Sequence, residues 1–158
     1  MMILDVIAIG FEFKDKKVSF YEQNDIFFFL NTEPGSFAES FEKAHGPCVS
    51  SMGWRVKDAK RAKEIAVKNG AKPADKVDFV GADGKPIPAI YGIGDSLIYF
   101  IDYYNDPQKF EKMGFVPHQK PTILPEKGFL RVDHLTNNVP KGTMADWTKF
   151  YQTIFGFT

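Results

Sequence analysis

Sixteen phenylalanines, concentrated in short runs flanked by turn residues, constrain this chain more than any other feature. Runs of that length suit half-buried strands better than long amphipathic helices, so the chain is expected to be α+β. Residues 6–13, 18–22 and 26–31 read as strands, the last two joined by Gln23, Asn24 and Asp25, a polar connection of hairpin length. After this meander, Ser36 is placed to cap a short helix, Glu39 completes a capping box, and Phe37, Phe41 and Ala44 share the apolar face. Gly46 and Pro47 end it.

From Cys48 a single pattern runs in full. A strand through Val56 leads into a helix over residues 58–69, with Ala59, Ala62, Ile65 and Ala66 on one stripe and lysines and arginines opposite, and Gly70 as the stop. Strands are expected over 76–80, 87–91 and 97–102, the first two joined by the turn Gly81-Ala82-Asp83-Gly84. The segment is βαβββ. Residues 103–127 then carry Pro107, Pro117, Pro121 and Pro125 among scattered charges, a composition that disfavours regular structure and reads as a surface linker. Beyond it, 129–139 is expected to be a strand. Thr143 with Asp146 forms a capping-box variant for a helix that places Trp147, Phe150, Tyr151, Ile154 and Phe155 on one face, ended by Gly156.

The two ends are complementary fragments of the same βαβββ unit: three strands at the start, a strand and a helix at the finish. Either the chain is an excerpt of a longer protein cut inside one module at each end, or 129–158 pairs with the N-terminal meander, within one chain or across two. An exposed apolar strand and an aromatic helix face need covering in either case. Completion between chains would give a homodimer or strand-swapped oligomer.

Composition excludes several function classes. With 158 residues and 44% hydrophobic content the chain can fill one core. Twenty Lys and Arg balance twenty Asp and Glu, so no basic surface is available for nucleic acid or anionic lipid. The longest apolar runs fall far short of the roughly 20 residues a membrane span needs. Met1 to Asp5 lacks the basic start of a secretory signal. Cys48 is the single cysteine, expected as a small buried hydrophobe in a reducing compartment, with the cytoplasm as the default location.

Few residues are candidates for chemistry. Of the three histidines, His45 sits at a helix end where capping explains it, and His118 lies in the expected linker, solvated. His134 differs: in the strand expected over 129–139 it shares a face with Leu130, Val132, Thr136 and Asn138, where a neutral imidazole suits either a satisfied core position or a divalent-metal ligand. Gly81 to Lys85 lacks the spacing of a phosphate loop, and Gly92-Ile93-Gly94 lacks the third glycine and helix of a dinucleotide fingerprint; both are turns. Glu12, Glu22, Asp78 and Asp102 lie on or beside strands and are most simply outward-facing. No catalytic residue is assigned.

A set of motifs carries a family resemblance: residues 30–36 (Leu-Asn-Thr-Glu-Pro-Gly-Ser), His45-Gly46-Pro47, Trp54-Arg55-Val56-Lys57-Asp58-Ala59, Pro88-Ala89-Ile90-Tyr91-Gly92-Ile93-Gly94 and Asp133-His134-Leu135-Thr136-Asn137-Asn138-Val139. Together, in this order from about Val6 to the last residue, they resemble 4-hydroxyphenylpyruvate dioxygenase. The resemblance implies a vicinal oxygen chelate fold, glyoxalase/bleomycin-resistance-like, of βαβββ modules. It implies a non-haem Fe(II) dioxygenase of tyrosine catabolism, converting an aromatic α-keto acid and O2 to homogentisate and CO2. The N-terminal module pair of such enzymes is mainly structural, while the C-terminal pair holds Fe(II) by two histidines and a glutamate. His134 matches the first iron-binding histidine; the chain ends before the segments that supply the second histidine and the glutamate.

The division expected is therefore 1–103 as N-terminal modules, the first without its initial strand and helix, 104–127 as linker, and 128–158 as the opening of the catalytic half. Alone, the chain is expected to be inactive. Two readings stand beside this one: a non-catalytic module that binds a small ligand or self-associates, and a small metal enzyme of the same fold assembled from two chains.

Overall fold

The computed structural model describes residues 8–13, 15–123, 125 and 127–158. Its strands are β1 (Ala8–Glu12), β2 (Val18–Gln23), β3 (Ile26–Asn31), β4 (Ser51–Arg55), β5 (Ala89–Tyr91), β6 (Leu97–Ile101) and β7 (Val116–Ile123). The helices are α1 (Phe37–His45), α2 (Ala59–Lys68), α3 (Lys109–Lys112) and α4 (Met144–Phe155). Val6 and Ile7 of the first expected strand lie outside the described residues.

Two sheets form. The first has the order β3-β2-β1-β7, and the second the order β4-β6-β5. In the second sheet β4 and β6 run parallel, Ser51 opposite Leu97 and Arg55 opposite Ile101, a pairing that requires a crossover, which α2 supplies. Every residue of β6 is buried. Leu97, Tyr99 and Ile101 join Val18, Phe20, Phe79, Phe110 and Phe115 in one core between the sheets. Ile98 and Phe100, on the opposite face, pack with Ala59, Ala66 and Ile154 beneath α2 and α4. The first core is a phenylalanine cluster centred on Phe20, whose ring lies 4.5 Å from Phe110 and 5.3 Å from Phe29 between centroids. On α2, Ala59 and Ala66 are buried as the stripe predicts, but Ile65 is exposed at its margin.

The starts of α1 and α2 are held by side-chain oxygens. Ser36 Oγ accepts from Glu39 N at 3.0 Å, while the Glu39 carboxylate accepts from Gly35 N at 2.8 Å, close to the expected box. Asp78 adds a distant cap: its carboxylate accepts from Phe37 N at 2.7 Å, Ala38 N at 2.9 Å and Asn31 Nδ2 at 3.0 Å. For α2, Asp58 accepts from Arg61 N at 2.8 Å and Asp102 from Ala59 N at 2.9 Å. Thr143 does not cap α4; its hydroxyl donates back to the Pro140 carbonyl at 2.8 Å, so the expected Thr143/Asp146 box is not made.

Three expectations are corrected. Residues 76–80 are not a strand: apart from an isolated bridge of Val80 to Pro86, the segment makes side-chain bonds, with Asp78 N donating to the Tyr99 hydroxyl at 3.0 Å and its carboxylate engaged on α1. Burial pushes that Tyr99 phenol well above the ordinary tyrosine value. Residues 104–127 are not irregular linker, since they contain α3 and β7, and β7 pairs antiparallel with β1 from Val116 opposite Glu12 to Ile123 opposite Ala8. Prolines 117 and 121 are tolerated because β7 is an edge strand, where an absent N–H need not break a ladder. Residues 129–139 form no strand. The meander is extended by β7 instead, and α4 crosses the second sheet beside α2.

Close approach fixes one glycine. Gly114, between α3 and β7, has φ of +88°, and a Cβ there would stand 2.8 Å from the Val80 carbonyl oxygen.

Asp78 satisfies two backbone donors and one amide that no other acceptor reaches at those distances, so Asp78→Ala is expected to lower stability by about 2 kcal/mol. Urea denaturation followed by circular dichroism measures this, with Asp78→Asn recovering part of the loss; an unchanged midpoint would show that α1 is held some other way.

Candidate functional site

The groove of interest is built on Trp54. This residue is presented by β4 on the face that α4 covers, and its indole stacks on Phe157 at 5.6 Å and 7°, on Tyr151 at 6.1 Å and 18°, and against Phe155 at 4.6 Å. The amphipathic spacing of α4 brings Tyr151 and Phe155 to it, and Ile154 is buried below. Residues 132–137 run past the open side. Met52, Trp54, Val132, His134, Tyr151 and Phe157 are among the residues that line a groove of about 540 Å³.

His134 stands on this rim with its side chain 73% exposed, its Nδ1 2.7 Å from the carboxylate of Asp133, itself 90% exposed. It lies in irregular chain and not mid-strand, so the alternating face predicted for residues 130–138 is not formed. Among the described residues no cluster of three or more His, Cys, Asp or Glu side chains is arranged to hold a metal. The four acids considered above are all placed elsewhere. Glu12 lies 3.3 Å from His118 Nε2 across β1 and β7, Asp78 and Asp102 hold helix starts, and Glu22 is half-buried, its carboxyl raised by burial and drawn back by Lys109. His118 is therefore a strand residue beside a carboxylate, where a solvated linker residue was expected. His45 ends α1 with its ring 4.2 Å from Phe41.

The other motifs are resolved simply. Cys48 is exposed and precedes β4, contrary to the expectation of a buried thiol. Gly81 to Lys85 closes as a turn through Gly81 N to Lys85 O at 2.8 Å, and Ile93–Asp95 is a single 3-10 turn, both as expected. A smaller cavity of about 290 Å³ beside α1 is lined by Lys72, Lys76, Tyr91 and Asp95, where Lys72 lies over the Tyr91 ring at 4.5 Å and Tyr91 donates to Asp75. No helix among the described residues is long and apolar enough to cross a membrane. No motif marks Trp54 as a groove former, although its place in a strand directly before the βα crossover is where an aromatic side chain can meet a covering helix.

Comparison with known proteins bears on this architecture. The family described as hydroxyphenylpyruvate dioxygenase, HPPD, N-terminal, matches residues 4–116. The chain belongs to that family. Protein MelA of Shewanella colwelliana is 56% identical over 146 residues, which are 92% of this chain and 41% of MelA. A 4-hydroxyphenylpyruvate dioxygenase of Pseudomonas sp. (strain P.J. 874) is 37% identical over 145 residues, 91% of this chain and 40% of that protein. Among solved structures, a xylose isomerase-like TIM barrel/4-hydroxyphenylpyruvate dioxygenase fusion protein superposes with a TM-score of 0.78 at 26% identity, over 97% of this chain and 23% of that one. The fold is thus the α+β vicinal oxygen chelate type that the motifs implied. The chain spans about 40% of the length of these curated relatives.

The aromatic stack fastens α4 to β4. Trp54→Ala is expected to cost about 3 kcal/mol and to expose α4 to cleavage ahead of the rest of the chain. Limited proteolysis with mass spectrometry, alongside thermal denaturation, reads this out; wild-type stability with α4 still protected would mean that Ile154 alone docks the helix.

Proposed function

We propose that the chain is the N-terminal, mainly structural portion of a dioxygenase that converts 4-hydroxyphenylpyruvate and O2 to homogentisate and CO2, with residues from 128 onward opening the half that carries the chemistry. The observation that carries this reading is the 37% identity, along nearly the whole chain, to a 4-hydroxyphenylpyruvate dioxygenase of which it spans 40%. The N-terminal character of the matched family supports it further.

In such an enzyme Fe(II) is the implied cofactor and the aromatic α-keto acid the substrate, and His134 is the residue proposed as an iron ligand. The described residues do not themselves fit that metal. A facial triad needs three protein ligands converging on one point, whereas His134 is largely exposed and engages only its neighbour Asp133. The reading therefore assigns this chain the work of scaffold: a sheet pair packed around phenylalanines, and a covered helix that presents the 132–137 segment.

The test is anaerobic loading with Fe(II), then oxygen uptake and homogentisate detection on addition of 4-hydroxyphenylpyruvate, with His134→Ala in parallel. The expected outcome is no turnover above the metal-only control in either protein. Turnover by the chain that is lost in His134→Ala would overturn the scaffold reading and point to a site assembled by two chains.

A second reading is favoured by the aromatic groove and by the exposed Phe129, Leu130 and Leu135: a non-catalytic module that self-associates or takes a small aromatic ligand. It predicts a mass that rises with concentration in sedimentation equilibrium, and quenching of Trp54 fluorescence by an aromatic acid. A concentration-independent monomer without quenching would exclude it.

A further inference from the structure

The tip of the β2–β3 hairpin holds a distant part of the chain. Among the described residues only Gln23 and Ser96 are polar and buried, Gln23 to 6% exposure. A carboxamide is costly to bury unless its donors and acceptor are matched. The match lies more than 100 residues away in sequence: with its oxygen facing them, the Gln23 side chain accepts from the backbone N–H groups of Phe129 at 3.0 Å, Gly128 at 3.1 Å and Lys127 at 3.2 Å. The reverse setting would aim its amino group at three donors, so chemistry selects this one. The next two residues of the turn continue the contact, Asn24 Nδ2 donating to Phe129 O at 2.7 Å and Asp25 N to Leu130 O at 3.1 Å.

These bonds end at Leu130, part-way along an exposed stretch that begins at Lys127. Val132 and Leu135 are exposed, residues 131–139 belong to no strand, and the chain is next fixed when α4 docks on the second sheet. The span that bears His134 is thus a strap pinned at both ends, one pin being Gln23. β2, the strand that carries Gln23, also carries Phe20, the centre of the phenylalanine core.

We propose that Gln23 is a positioning residue: its side-chain oxygen gathers the amides of residues 127–129 and so sets the point and direction in which the chain leaves the first sheet, and with it the path of the His134 segment. The proposal rests on the reading above that residues from 128 onward open the ligand-bearing half. Gln23 touches neither substrate nor metal; it acts through the backbone. An acceptor is what the position needs, so a carboxylate would serve there and an isosteric hydrocarbon would not.

The test uses the full chain, isotopically labelled, and compares Gln23→Leu with Gln23→Glu by amide hydrogen exchange and by the imidazole resonances of His134. In Gln23→Leu the amides of Lys127, Gly128 and Phe129 are expected to exchange about tenfold faster or more, those of Ile98 and Phe100 in β6 to stay as they were, and the His134 resonances to shift or broaden. Gln23→Glu is expected to restore all three. Unchanged exchange at 127–129 would overturn the proposal, and so would released amides with an unmoved His134 signal, which would make Gln23 a structural residue only. Should Gln23→Leu not fold, Asn24→Gly removes the Nδ2 bond to Phe129 O at the exposed turn while keeping its positive φ accessible. Faster exchange at Gly128 and Phe129, with His134 perturbed, supports the clamp, and wild-type behaviour rejects it. None of these signals needs iron or keto acid, so a failure of the clamp is distinguishable from a failure of the dioxygenase reading.

Discussion

Five consecutive residues of β6 are buried, and the architecture follows from having to cover both faces of that strand. A strand with one wet face needs a single partner layer, but Leu97, Tyr99 and Ile101 look one way and Ile98 and Phe100 the other. One side is met by the first sheet through phenylalanine rings. The other is met by α2 and α4, whose alanines allow close approach and whose aromatic residues fill the remainder. Parallel pairing with β4 adds the crossover helix, which is half of the second cover.

Carboxylates organise what the apolar layers leave open. Asp78 and Asp102 stand outside the helices whose first amides they accept, so each couples one helix start to a segment remote in sequence. α1 has no fully buried residue, and Asp78 adds a polar anchor to the packing of Phe37 against the core. Gln23 plays the same part with a neutral acceptor toward an irregular segment. Long-range polar capping is thus a recurring device here, with the surface helix, the crossover helix and the strap each taking a side-chain oxygen from a segment remote in sequence.

Local signals in the sequence were legible where local chemistry decides the outcome. The β2–β3 hairpin, the Ser36 cap, the α2 stripe apart from Ile65, and the aromatic spacing of α4 formed as periodicity and capping predict. The misses share a cause. Pro117 and Pro121 break a central strand but not an edge, and whether β7 lies at an edge is a tertiary fact. Residues 130–138 alternate as a strand should, yet a ladder needs a partner with matching unpaired groups. The carboxylate of Asp78 looks outward by pattern and turns inward because two amides wait there. At the site, the chemistry of His134 came from motif resemblance, and the pattern around it gave no hint that its nearest carboxylate would be the adjacent Asp133. The aromatic face of α4 was readable, while its partner Trp54 was not.

The antiparallel pairing of β1 with β7 joins strands more than 100 residues apart in the sequence. A chain emerging from the ribosome forms the β2–β3 hairpin early, and β1 has that hairpin on one side as soon as it is released. Its other edge waits. Until residue 123 is out, β1 presents an unpaired strand edge, so the first sheet closes late even though most of its strands are made first.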